Sequence, residues 1–150
     1  MARSAPALAR KRVAAVLTGQ KFGILATLGR KYPYQNIVAF AATRDKKNIL
    51  FATKRATSKY ENLKRNKRVA MFVDDRSNRE TDLRDATGVA ALGEAREMRG
   101  ADRKKFAAFF LRQHPLLRDF LSDPDCALFA IRVRVYYLVR RFEEVSEIRM

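Results

Sequence analysis

The chain has 150 residues, 47% of them hydrophobic, and a net charge of +16. That length can bury a core without staples, and the composition excludes a disordered or fibrous chain. Cys126 is the only cysteine, so these residues hold no internal disulfide and no cysteine-based zinc cluster.

One domain spanning residues 1–150 is the expectation. No apolar run is long enough to span a bilayer, and no signal-peptide core stands near the N-terminus, so a cytoplasmic location is expected. The charge implies anionic partners. Between Arg44 and Arg68 stand ten Lys or Arg against Asp45 and Glu61, a net +8 and half of the total excess. Such a run is either a solvated face or an anion site.

In chain order, Ala5 to Leu17 predicts a helix: Ser4 can cap it, Pro6 suits its first turn, and Leu8, Val13, Val16 and Leu17 form a stripe. Phe22 to Leu28 predicts a strand with Phe22, Ile24 and Leu28 on one face. After a turn at Gly29–Pro33, Tyr34 to Thr43 is a strand apolar on both sides, Ile37 on one and Val38 and Phe40 on the other. Both of its faces should therefore be packed. Arg44–Lys47 is a hairpin turn into a strand at Asn48–Thr53. A helix at Thr57–Asn66, a strand at Arg68–Asp74 and an irregular polar stretch to Asp85 follow.

Ala86 to Met98 reads as a long strand in which Gly88 and Gly93 mark bulges or barrel corners. Ala101 to Arg112 is a helix with Phe106, Phe109 and Phe110 inward, stopped by Pro115, and Leu116–Leu121 adds a turn. Cys126 to Val139 alternates Ile131, Val133, Val135, Tyr137 and Val139 with Arg132, Arg134 and Arg140, a strand signature. Six long, glycine-bent strands joined by tight turns remove their edges by closing. The expected architecture is mainly β: an antiparallel six-stranded β-barrel with short peripheral helices.

The chemistry concentrates in Phe51–Asn66, FATKRATSKYENLKRN. A strand ends at Thr53, a basic turn holds Lys54 and Arg55, and Thr57, Ser58 and Lys59 open a helix. Helix first-turn amides lack internal partners and the dipole is positive there. Hydroxyls, an ammonium and a guanidinium complete the parts of a phosphate site. Ser58 and Glu61 also have capping-box spacing, which would satisfy two amides without a ligand. Both readings fit the segment.

The run from Tyr34 to Asp74, through PYQNIVAF, ILFATKRATSKYENL and NKRVAMFVDD, resembles the pyridoxamine 5′-phosphate oxidase-like, FMN-binding split-barrel superfamily. The resemblance makes the expected barrel a split β-barrel, and it implies that Asn36, Ile37, Val38 and Ala39 lie against the isoalloxazine ring, partly through their backbone. It implies that Thr53, Thr57, Ser58 and Lys59 grip the ribityl phosphate. It also implies a homodimer with flavin between protomers, Thr87 belonging to the second protomer's share. Oxidases proper carry a tryptophan-glycine-arginine substrate motif, and this chain has no tryptophan, so that activity is not implied. Asn36 and Ser58 stand where those enzymes have arginines, which weakens one cofactor contact at Asn36; at Ser58, Arg55 or Lys54 is expected to substitute.

The expected function is an FMN-dependent oxidoreductase working with NAD(P)H or a small phosphorylated or aromatic substrate, since flavin carries the hydride chemistry itself. A deazaflavin or haem is the alternative cofactor, and a non-catalytic flavin or haem sensor the alternative role. Haem would need an axial ligand, and His114 is the only histidine. Nucleic-acid binding has the charge in its favour but no legible motif. Asp74, Asp75 and Glu80 read as turn acids, and Tyr136 and Tyr137 as sheet residues with substrate stacking as the alternative.

Overall fold

A computed structural model describes residues 4–150. Helix α1 (Ser4–Gly19) precedes three strands, β1 (Phe22–Leu28), β2 (Pro33–Ala42) and β3 (Asn48–Lys54). Helix α2 (Ser58–Arg65), β4 (Arg68–Asp74), the one-turn α3 (Asp82–Asp85) and β5 (Thr87–Glu97) follow. Then come α4 (Gly100–Gln113), a 3-10 turn at Pro115–Leu117, α5 (Arg118–Ser122), β6 (Cys126–Arg140) and β7 (Glu144–Arg149). The side chain of Ser4, expected to cap α1, lies outside what is described.

All strand pairs are antiparallel, in the order β3-β2-β1-β4-β5-β6-β7. The 15-residue β6 closes the barrel: its first half pairs with β3, from Lys54↔Cys126 to Asn48↔Arg132. Its second half pairs with β7. Six strands thus form a closed barrel and β7 is a seventh, added at its edge. The sequence reading missed β7, because only Ile148 in it is buried and the strand carries no apolar alternation.

The barrel is split at one seam. β2 and β3 pair only from Phe40↔Phe51 to Ala42↔Ile49. Beyond that, β2 continues with β1 and β3 with β6, so residues 33–39 and 52–54 diverge. Helix α2 packs against both β1 and β3 there. Its Leu63 joins the barrel core, and Asn62 Nδ2 donates to Thr27 Oγ1 of β1 at 3.0 Å.

Gly93 sits at a register shift in β5, where a Cβ would come 2.0 Å from the Arg132 carbonyl oxygen. The expected bulge is therefore required there. Gly88 marks no bulge. It makes room for the Phe72 ring, which a Cβ would meet at 2.7 Å.

The outer surface has two halves. Leu50, Leu128 and Ala130 on the outside of β3 and β6 are buried under Phe110 and Leu121 of α4 and α5. Phe106 and Phe109 pack on the same cluster, as expected. The other half, across β2, β1, β4 and β5, carries no layer. There β1 turns the shared face of Phe22, Ile24 and Leu28 outward. Leu25 and Thr27 point inward and are fully buried, whereas Phe22 and Leu28 face out, and Phe22 is 61% exposed. Both faces of this strand are apolar, so alternation alone did not distinguish them. In α1, Leu8 is likewise exposed and Ala9 takes its place in the stripe.

Candidate functional site

The split gathers most of the expected site residues. Thr57, not Ser58, caps α2: its Oγ1 accepts from the Tyr60 amide at 3.2 Å. The expected Ser58–Glu61 box is thereby replaced by a cap one residue earlier. Thr57 Oγ1 donates to the Lys54 carbonyl at 2.8 Å and lies 3.2 Å from the hydroxyl of the buried Thr53. A hydroxyl has one proton and two lone pairs, so Thr57 is fully engaged and the Thr53 proton closes the same turn. These two threonines shape the loop; they hold no free donor.

Lys54 and Arg55 are also engaged. Lys54 pairs with Asp123, and the Arg55 guanidinium binds Glu97 at 3.1 Å and the Pro124 carbonyl at 2.7 Å. Glu97 further accepts from Tyr60 Oη at 3.0 Å and pairs with Arg99 at 2.9 Å. Arg55, though neutralised by Glu97, still lines the cavity beside α2, as does Glu61.

Ser58 and Lys59 differ. The cap leaves the Ser58 hydroxyl exposed and without a partner among the described residues. As the first two helical residues, both have amides with no carbonyl to bind. Lys59 is half-buried, forms no ion pair among the described residues, and burial pushes its ammonium below the usual 10.5. Across the seam on β2, Asn36 Oδ1 is buried with no hydrogen-bond partner. An orphaned buried carbonyl oxygen costs about 1–3 kcal/mol, so this atom stands ready for a donor.

A cavity of about 520 Å³ opens beside the helix start, lined by Arg30, Arg55, Thr57, Ser58, Asn62 and Arg65 among others. Lys59 is not part of its wall. Arg30 and Arg65 were missed in the sequence. Arg65 holds Asn62 Oδ1 at 2.6 Å, three residues away, a spacing that alone could have flagged it.

The four β2 residues do not share a face. Asn36 and Val38 lie on the inner side with Leu25 and Gly23, and Val38 is core. Ile37 and Ala39 lie on the outer side, with Ile37 68% exposed. A flat group along this strand would meet outer side chains and backbone. Thr87 opens β5, three strands away in the sheet; it is buried, and its amide donates to Asp75 Oδ1 at 2.7 Å.

Ile37, Ile24, Phe72, Ala90 and Tyr137 are consecutive cross-strand partners on the bare outer face. Tyr137 is thus a face residue, whereas Tyr136 is core and its hydroxyl donates to the Lys46 carbonyl at 2.7 Å. Asp74 pairs with the exposed Arg76 at 2.8 Å. His114 Nε2 lies 2.6 Å from the Phe40 carbonyl oxygen, which can only accept, so the ring proton sits on Nε2.

The described residues form a six-stranded split barrel whose seam carries a helix start with unengaged donors. Residues 9–140 match the sequence profile described as Pyridoxamine 5′-phosphate oxidase, and the chain belongs to that family. No curated protein matches it. Among solved structures it is similar to a haem-binding protein from Mycobacterium smegmatis, with TM-score 0.84 and 16% identity over 94% of this chain. The chain spans 57% of that protein's length. It is similar to an FAD-binding protein from Mesorhizobium loti, with TM-score 0.71 and 18% identity, covering 86% of this chain and 90% of that one. A putative pyridoxamine 5′-phosphate oxidase from Listeria innocua aligns with TM-score 0.65 and 14% identity, over 86% and 96%. At these identities the likeness concerns the fold. No helix among the described residues is long and apolar enough to cross a membrane.

Proposed function

We propose that the chain binds FMN in the split, with its phosphate at the start of α2 and its ring along the outer side of β2. The observation that carries this reading is Lys59, a half-buried ammonium on the first turn of α2 with no acidic partner among the described residues. Desolvating a cation without compensation is unfavourable, and a phosphate supplies the missing charge. The free Ser58 hydroxyl and two first-turn amides add three further points of attachment.

Flavin would supply hydride or electron transfer, with NAD(P)H or a small phosphorylated or aromatic substrate as its partner. The chain's part is to hold the phosphate, position the ring and exclude water. A deazaflavin shares the same requirements. The named haem-binding relative supports haem as a second reading, but His114 has Nε2 committed to the Phe40 carbonyl, which removes it as an Nε2 ligand.

The bare face supports a homodimer that closes the site. Phe22, Ile37 and Phe72 stand exposed on it around the small residues Ala26, Ala70 and Gly88. A second copy docked there would bury these and bring Thr87, near the rim of the same sheet, toward the first copy's cleft.

The test is the absorption spectrum of the purified chain with added FMN. Saturable binding with bands bleached by NAD(P)H or dithionite and restored in air is expected; a chain that takes up no FMN overturns the reading. Light scattering should give twice the 17.2 kDa chain mass, and Ile37→Asp should halve it.

A further inference from the structure

A second basic cavity lies away from the split. It has about 390 Å³ and sits where α1 ends, the β2–β3 hairpin turns and α4 ends. Lys21, Arg44, Lys46 and Arg112 line it together with His114, and no Asp or Glu does. These cations come from three separate stretches of chain, so their convergence is a product of the fold.

Elsewhere among the described residues some cations are neutralised by carboxylates, though most are not. Lys54, Arg55, Arg76, Arg99, Arg134 and Arg140 each pair with a carboxylate. None of the four cavity cations has an ion pair among the described residues. The nearest acid in sequence, Asp45, is held by the Thr43 hydroxyl at 2.7 Å and the Lys47 amide at 3.0 Å. The C-terminal ends of α1 and α4 also face the cavity. Each offsets roughly half a charge, together about one of the four. Most of the positive charge therefore stays uncompensated around a concave space. Burial lowers the Lys46 ammonium from its usual value, consistent with a cation held partly out of water.

The remaining wall is apolar and aromatic. Phe109 lies beneath the Arg112 guanidinium, 5.6 Å from its ring centroid, and Leu17 and Phe40 complete the floor. The geometry points to a second anion site that takes the diphosphate group of a small molecule, distinct from the phosphate grip at α2. The cavity is large enough for two phosphoryl groups, and the roughly three positive charges left after the helix ends suit a terminal diphosphate.

His114 makes the site directly observable, since it is the only histidine and lines the cavity. The experiment titrates the full chain with inorganic pyrophosphate at physiological ionic strength and follows the His114 ring proton by NMR. Lys59→Ala is the background, so that binding at α2 does not compete. A saturating single-site shift is expected, with affinity at least tenfold weaker in Arg44→Ala/Arg112→Ala and unchanged in the surface control Lys104→Ala. A shift that never saturates overturns the proposal. So does equal weakening in the control, which would mark a diffuse charge effect.

Discussion

Residues 53–57 and residues 58–59 are neighbours in one basic segment, and the structure treats them in opposite ways. The first group is knitted into the protein: Thr53 and Thr57 close a turn, Lys54 pairs with Asp123, and Arg55 spans Glu97 and Pro124. The second group is left with free donors, an exposed hydroxyl at Ser58 and a half-buried, unpaired ammonium at Lys59. Positive charge in sequence therefore does not identify an anion site. In the proposed reading the anion meets a half-buried cation left without an ion pair among the described residues, and the engaged residues hold that cation's helix in place.

The sharpest way to break this comparison is Lys59→Ala. It should weaken FMN binding about 10- to 100-fold, the loss of a charge-assisted contact worth roughly 1.4–3 kcal/mol. Fluorescence titration of FMN measures it. The free protein should not lose thermal stability, because the lost ammonium was desolvated without a partner. Its pH dependence follows from the lowered pKa. Between the lowered folded value and the usual 10.5, the unfolded chain binds more protons, so stability of the free protein rises with pH there. FMN affinity falls over the same interval as Lys59 loses its charge.

Glu97→Ala should do the reverse. It leaves Arg55 and Tyr60 without their acceptor and should cost about 1–2 kcal/mol in urea unfolding, less than a fully buried pair because Arg55 keeps about a third of its side chain exposed. FMN affinity should change less than about threefold, well under the Lys59→Ala effect.

Much of this was legible in the sequence. The six barrel strands and the helix start at residues 57–59 followed from periodicity, turn chemistry and resemblance. What was not legible depended on contacts between distant segments. Glu97 and Asp123 neutralise Arg55 and Lys54 from 42 and 69 residues away. β7 carries almost no buried residue, so it exists through its pairing with β6 and not through its own pattern. Which face of β1 points inward was not legible, because its large apolar residues share the face that points out, which the single chain leaves bare. In each case local sequence is ambiguous and tertiary pairing decides.

The smallest expected effects separate cap from ligand on adjacent hydroxyls. Thr57→Ala removes the acceptor of the Tyr60 amide and the bridge to the Lys54 carbonyl, and should destabilise the free protein by about 1 kcal/mol. Ser58→Ala removes an exposed hydroxyl with no partner among the described residues and should change stability by less than about 0.5 kcal/mol. On FMN the order inverts for direct contact: Ser58→Ala should weaken binding about threefold to tenfold while the protein unfolds at the same urea concentration. Thr57→Ala should weaken FMN only as far as the turn loosens, which Thr57→Ser, keeping the hydroxyl, should restore. If Ser58→Ala instead lowers stability as much as Thr57→Ala, the cap lies at Ser58 after all and the division between engaged and free residues moves by one position.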